Sequence, residues 1–126
     1  MRALVVGNDR MFESSVLACL EAYPDIEIVG IVGDGKEGIR LAKQFLPDLV
    51  ITQFDMPDMT ALALTRALKN DDIPPPAIVI VSWNGSPYYS QLAYQAGADG
   101  YLARTTLGQL DPLVGKLKST MEGHLG

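Results

Sequence analysis

Val50-Ile-Thr-Gln-Phe-Asp-Met-Pro-Asp-Met59 is the stretch that decides the fold of this 126-residue chain. The apolar run that begins at Leu49 is typical of a buried strand, and Met56-Pro57 ends it, because proline has no N–H and restricts the residue before it. In a parallel α/β sheet, ligands bind at the carboxyl ends of such strands. The polar residue there is Gln53, whose neutral amide is neither a nucleophile nor an ionisable group. The stretch therefore predicts a strand end suited to a reactive side chain but occupied by an inert one.

Composition indicates a single globular domain over residues 1–126, with 48% hydrophobic residues to fill a core. No apolar run approaches the roughly 20 residues that span a bilayer, and the apolar N-terminal segment is too short for a signal peptide. We therefore expect a cytoplasmic protein that does not enter a membrane. A net charge of −5 argues against nucleic-acid binding, which needs a basic patch. The single cysteine, Cys19, excludes an internal disulfide and falls on a predicted core stripe.

Apolar runs alternate with segments of helical period, and clusters of Gly, Pro and Asp separate them. The runs predict strands over residues 3–6, 27–32, 49–52, 77–81 and 101–103. A helix follows each strand. Five βα units in this order predict an α/β fold, a three-layer sandwich of the flavodoxin-like kind, with a five-stranded parallel sheet of order 2-1-3-4-5.

Each predicted helix carries an apolar stripe that should face the sheet. The third helix is predicted to begin near Met59. The stripes are Phe12, Val16, Cys19, Leu20 and Tyr23, then Gly38, Leu41, Ala42 and Phe45, then Ala61, Leu64, Thr65 and Leu68, then Tyr89, Leu92, Ala93 and Ala96, and finally Leu110, Leu113, Val114, Leu117 and Met121.

Several short motifs identify the pattern further: Pro24-Asp25-Ile-Glu-Ile-Val-Gly30, Asp34-Gly35, Pro47-Asp48-Leu-Val-Ile, Met56-Pro57, Gly97-Ala98 and Gly100-Tyr101-Leu102. From about residue 2 to 117 the chain resembles a bacterial response-regulator receiver domain, CheY-like and of the kind found in NarL/FixJ-type regulators. The resemblance implies a role in two-component signal transduction, where a receiver accepts a phosphoryl group on an aspartate in a phosphorelay.

The resemblance places Gln53 where receivers carry the acceptor aspartate, three residues before Met-Pro. The acidic pair that holds Mg²⁺ at the end of the first strand falls on Gly7 and Asn8, and Asp9 is one residue too late. Asp55 matches the place whose backbone carbonyl binds the metal. Mg²⁺ needs several hard anionic oxygens, so we expect no Mg²⁺ binding. We also expect no other cofactor and no enzymatic activity.

Four further positions follow from the resemblance. Ser82 matches the Ser or Thr after the fourth strand, and Trp83 stands where a small residue is usual. Arg104 replaces the lysine, and Tyr101 matches the switch aromatic. Trp83 either fills the pocket or anchors a partner on the surface, and Arg104 either pairs with an aspartate of the pocket or lies at the surface.

We expect a degenerate pseudo-receiver that acts without phosphorylation, through contact with a protein. The resemblance implies that the contact face is helix four, strand five and helix five, with Tyr88, Tyr89, Tyr94 and Tyr101 in or near it. It leaves a homodimer and a C-terminal DNA-binding output domain open.

Two alternatives stay open. One is an active receiver whose acceptor has moved to Asp55 or Asp9. The other is a nucleotide-binding protein, because Gly33, Gly35 and Gly38 satisfy G-x-G-x-x-G after a strand. This motif follows the second strand, which lies at the sheet edge, whereas dinucleotides bind at the switch point between strands one and three.

Overall fold

The computed structural model describes residues 1–82, 86–103, 115–117 and 119. Within them, one parallel sheet has the order β2-β1-β3-β4-β5, which confirms the predicted order. The strands are β1 (Arg2–Val6), β2 (Glu27–Val32), β3 (Leu49–Gln53), β4 (Ala77–Ser82) and β5 (Gly100–Ala103). The helices between them are α1 (Arg10–Leu20), α2 (Gly35–Phe45), α3 (Ala61–Lys69) and α4 (Pro87–Ala96).

Helices cover both faces of the sheet, and the central strands are therefore apolar on both sides. Alternate residues of β1 enter different layers: Ala3 and Val5 join α1, while Leu4 and Val6 join the layer beneath α2, α3 and α4. All four are 0% exposed. Each buried Val or Leu side chain contributes about 1.5–3 kcal/mol, so these two apolar layers hold the sheet and its helices together.

The predicted stripes of α1 and α3 are confirmed. In α2 and α4 the predicted residues Gly38, Ala42, Ala93 and Ala96 are buried, whereas Phe45 and Leu92 are only half-buried. In α1 the buried residues are Phe12, Val16 and Leu20, and Cys19 packs half-buried against the same layer. In α3 they are Ala61, Leu64, Thr65 and Leu68. Residues 115–117 are helical, and Leu117 packs against the α1 layer. The other apolar residues predicted for the last helix, namely Leu110, Leu113, Val114 and Met121, lie outside the described residues.

Each of the helices α1 to α4 is preceded by a residue whose side chain accepts a hydrogen bond from a backbone N–H of the first turn. These residues are Asp9, Asp34, Thr60 and Ser86. Such caps satisfy backbone N–H groups that would otherwise lack a partner. The predicted start of α3 near Met59 was wrong by two residues. Met59 belongs to the preceding turn, where its main-chain oxygen accepts a hydrogen bond from the Met56 N–H at 3.2 Å.

Leu46 follows α2 as its C-terminal cap and adopts the left-handed conformation with φ 48°. Its N–H donates to the Ala42 carbonyl at 3.0 Å. Glycine or asparagine is usual at such a position because a Cβ is strained there. Leu46 therefore stores a small strain at the end of α2.

The sheet order brings the carboxyl ends of β1 and β3 side by side. Val6 pairs with Thr52 in the parallel register, so the next residues, Gly7 and Gln53, lie next to each other. This is the point at which the chain passes from one side of β1 to the other, where α/β sheets bind ligands. Among the described residues, no helix combines the length and the apolar character needed to cross a membrane.

Candidate functional site

Gln53 ends β3, and its half-buried side chain joins the two loops beside it. Its Oε1 accepts a hydrogen bond from the Asp9 main-chain N–H at 3.0 Å. Its Nε2 donates to Asn8 Oδ1 at 2.5 Å and to the Asp55 main-chain carbonyl at 2.6 Å. One carboxamide thus links the loop after β1 to the loop after β3.

The orientation of this amide follows from its main-chain partners. An N–H group can only donate, so the atom that faces the Asp9 N–H is the oxygen. A carbonyl can only accept, so the atom that faces Asp55 is the nitrogen. Asn8 must then present its own oxygen to the second hydrogen of Nε2, as it does.

Gly7 is required where it stands because its neighbours occupy the space of a side chain. A Cβ at this position would lie 2.6 Å from Gln53 Oε1 and 2.7 Å from the Phe12 ring. Both distances are shorter than real Cβ contacts. The space next to Gly7 is therefore filled by the Gln53 amide and the Phe12 ring.

Asp9 takes part in the site through its main chain, while its carboxylate caps α1. Asp9 Oδ1 accepts hydrogen bonds from the N–H groups of Met11 at 2.8 Å and Phe12 at 3.3 Å. Asp55 also contributes its main chain, and its side chain is exposed. The residues singled out from the sequence as Gly7, Asn8, Asp9, Gln53 and Asp55 therefore lie together, but neither aspartate uses its carboxylate in the network around the amide.

Two other predicted residues lie at neighbouring strand ends. Ser82 is buried at the end of β4, in register with Ala103 of β5. Tyr101 of β5 is half-buried and packs against the layer beneath α2, α3 and α4. Trp83 and Arg104 lie outside the described residues, so the two interpretations of each remain predictions.

Asp58 is a residue that the sequence did not single out. Its two carboxylate oxygens accept hydrogen bonds from the main-chain N–H groups of Gly35 and Lys36, each at 2.9 Å. The hydrogen bond from Gly35 is the largest cause that holds the pKa of Asp58 below its ordinary value, and the Lys36 N–H acts in the same direction. The partners are 22 and 23 residues away, so local spacing offered no means of finding this contact.

The same contact fills the place where the G-x-G-x-x-G motif would bind a phosphate. Phosphates bind to free N–H groups at a helix N-terminus. Here Asp58 accepts from the first two N–H groups of α2, and the Met59 side chain lies where a Cβ on Gly35 would stand. At Gly38 a Cβ would lie 3.1 Å from Val6, so this glycine serves the packing of α2 on β1.

Helix α4 presents aromatic residues to solvent and carries no charged side chain along Pro87–Ala96. Tyr88 is 63% exposed and Tyr94 is 53% exposed. Tyr89 lies between surface and core, with its ring edge-on to Phe54 at 5.6 Å and to Tyr88 at 5.5 Å. The surface formed by Tyr88 and Tyr94 is called the α4 face below.

Comparisons with known proteins point to one family. The family model described as "Response regulator receiver domain" matches residues 3–112. The chain is similar to the transcriptional regulatory protein LiaR of Bacillus subtilis, with 33% identity over 107 residues that cover 84% of this chain and 50% of LiaR. It is also similar to the nitrate/nitrite response regulator protein NarL of Escherichia coli, with 31% identity over 101 residues that cover 80% of this chain and 46% of NarL.

The same family appears among solved structures. The signal receiver domain of the response regulator NarL from Mycobacterium tuberculosis matches with a TM-score of 0.81 and 25% identity, over 91% of this chain and 93% of that chain. The resemblance predicted from the sequence motifs is thereby confirmed at the level of the family. This chain spans about half the length of LiaR and NarL.

Proposed function

Since this chain belongs to the response regulator receiver domain family, we propose that it is a degenerate receiver that acts through protein contact and without phosphorylation. The observation that carries the proposal is the state of the acceptor position. Gln53 stands there, and both ends of its amide are hydrogen-bonded within the site. An amide in this state offers no nucleophilic oxygen for phosphoryl transfer.

The metal required for that transfer does not fit the residues present. Mg²⁺ prefers near-octahedral coordination by hard oxygens, with carboxylates among them. Gly7 brings no side chain, and Asn8 brings a neutral oxygen that already accepts from Gln53. Among the described residues, no group of three or more His, Cys, Asp and Glu side chains is placed to hold a metal.

The alternative of a relocated acceptor has weaker support. The Asp9 carboxylate caps α1, so modification there would remove the cap of a helix that covers the core. Asp55 has an exposed side chain, and its main-chain carbonyl already accepts a hydrogen bond from the Gln53 amide. Nucleotide binding is also poorly supported, because Asp58 accepts from the N–H groups that a phosphate would need.

The contact surface we propose is the α4 face together with β5. Tyrosine and tryptophan are enriched among residues that anchor protein interfaces, since they bury a large area at little entropic cost. Tyr88 and Tyr94 are exposed on a helix without charges, which lowers the cost of removing water from it. In the whole protein the partner is a second copy, a separate protein or an output domain on the same polypeptide.

Treatment with acetyl phosphate and Mg²⁺, followed by intact-mass measurement, tests the absence of phosphorylation. We expect no phosphoryl adduct on the wild-type protein under conditions that label an ordinary receiver. An adduct that disappears in Asp55→Asn or Asp9→Asn would contradict the proposal and identify the relocated acceptor.

Site-specific photocross-linking in the native cell tests the surface. A photoreactive aromatic amino acid replaces Tyr94, and the matched control carries it in place of Ser14, which is exposed on α1 at the opposite face of the sheet. We expect a discrete adduct from position 94 and not from position 14. Equal cross-linking from both positions would refute the choice of face.

A further inference from the structure

We propose that the Gln53 carboxamide takes the place of a bound cation and holds the loops after β1 and β3 together as that cation would. This inference rests on the proposed function and deepens it, because it assigns Gln53 a positioning role. On this account the site is not an emptied pocket. It is a site rebuilt around a neutral group that is part of the chain.

The geometry of the amide nitrogen carries the inference. A bound cation is shared between oxygen ligands, and here Nε2 donates hydrogen bonds to two oxygens, Asn8 Oδ1 and the Asp55 carbonyl. These oxygens belong to different loops that are 47 residues apart in sequence. An NH₂ group has two hydrogens to donate, so it satisfies both oxygens and needs no metal.

The length of the side chain matters as much as its chemistry. A residue one methylene shorter, such as Asn or Asp, would place its terminal atoms closer to β3 and would leave the position of Nε2 vacant. Gln53 reaches that position and still presents Oε1 to the Asp9 N–H at 3.0 Å. The same oxygen stands 2.6 Å from where a Gly7 Cβ would be, so a side chain at Gly7 is incompatible with this placement.

An amide in the cation's place predicts a different metal affinity from a simple lack of carboxylates. If the amide occupies the place of the cation, then adding a carboxylate at Asn8 will not create a metal site while Gln53 remains. The Asp side chain in Asn8→Asp would accept the Nε2 hydrogen bond as the Asn oxygen does. Gln53→Asn shortens the side chain by one methylene, so it would vacate the position of Nε2 without any change in charge.

The test compares Asn8→Asp with Asn8→Asp/Gln53→Asn, two proteins of equal charge that differ by one methylene. Mn²⁺ titration, read by water-proton relaxation, gives the dissociation constant of each. We expect binding at least about tenfold tighter in the double variant, the scale on which the surroundings of a metal site alter its affinity. Equal dissociation constants, or binding in neither protein, would overturn the inference.

A second measurement does not depend on metal. The Asp9 amide proton donates to Gln53 Oε1, so in Gln53→Asn it should exchange with solvent at least about tenfold faster than in the wild type, since local opening governs exchange. Unchanged exchange would refute the positioning role. These results are separate from the labelling experiment: a phosphorylated wild-type protein would refute the proposed function, whereas equal Mn²⁺ affinities refute only the role of the amide.

Discussion

The side-chain oxygen of Gln53 lies 2.6 Å from the point where a Cβ on Gly7 would stand. The two residues therefore constrain each other across the adjacent ends of β1 and β3. Phe12 adds a second constraint, because its ring lies 2.7 Å from the same point. A glycine at the end of β1 is thus a requirement of the present site.

Gly7→Ala should destabilise the protein by roughly 1–3 kcal/mol, the usual cost of overpacking a closed site. Gly33→Ala is the matched control. A Cβ there would meet only Asn8 at 3.8 Å, which is an ordinary contact, so we expect little change. Urea unfolding of the two variants measures the difference. Equal stabilities would mean that the space beside Gly7 is open.

Gln53→Asp should not restore phosphorylation by acetyl phosphate. It returns the nucleophile, but phosphoryl transfer also depends on cations that neutralise developing charge. Gly7 and Asn8 still supply no carboxylate, and Gly7→Asp would meet the Phe12 ring. Restoration should therefore be strongly non-additive across Gly7→Asp, Asn8→Asp and Gln53→Asp. Labelling of the single variant at the rate of an ordinary receiver, run in parallel, would show that a metal ligand is already present.

Most of the fold was predictable because it depends on periodicity. The stripe from Ala61 to Leu68 and the apolar run of β3 define their elements over a few residues, and right-handed crossovers then leave little choice of topology. The start of α3 was predicted less well, since the turn closed by Met56 and Met59 places the cap at Thr60.

The members of the site were predictable, but their contacts were not. Gly7, Asn8, Gln53 and Asp55 came from sequence motifs, and the sheet register brings them together. Whether Gln53 can hydrogen-bond to both loops through one amide depends on differences of a few tenths of an ångström in interatomic distance. No pattern in the sequence carries this information.

Asp58→Asn should lower stability near neutral pH and lose its effect in acid. The pKa of Asp58 in the folded state lies below its ordinary value of 3.8, chiefly because of the Gly35 N–H. The ionised Asp58 carboxylate therefore makes its full contribution to the free energy of unfolding above pH 3.8. That contribution is lost as the pH falls through the pKa of Asp58 in the folded state. Melting temperatures recorded from pH 7 downward should show the gap between the wild type and the variant begin to narrow below pH 3.8 and close as the pH falls through the folded pKa. Asp72→Asn, at another exposed carboxylate, is the control, and a gap that persists in acid would contradict the account.

Leu46→Asn should stabilise the protein. Left-handed backbone costs an L-residue roughly 1–2 kcal/mol, and asparagine tolerates it better than leucine. Leu46 is 47% exposed, so little buried area is lost. We expect a gain of about 0.5–1 kcal/mol by urea unfolding. Leu46→Ala keeps the strained backbone and should bring no gain; a gain equal to that of Leu46→Asn would attribute the effect to the lost side chain.

The central claim is that the site is complete without metal or phosphate, and an amide NMR spectrum of the wild-type protein tests it most directly. Spectra are recorded in chelator, then with about 10 mM Mg²⁺, a concentration well above the dissociation constant expected of a carboxylate site. Acetyl phosphate is then added. The account predicts that the resonances of Asn8, Asp9, Gln53 and Asp55, including the Gln53 side-chain NH₂ pair, stay in place throughout. Progressive shifts of the Gln53 side-chain pair and the Asp9 amide would show that a cation displaces the carboxamide, and would contradict the account.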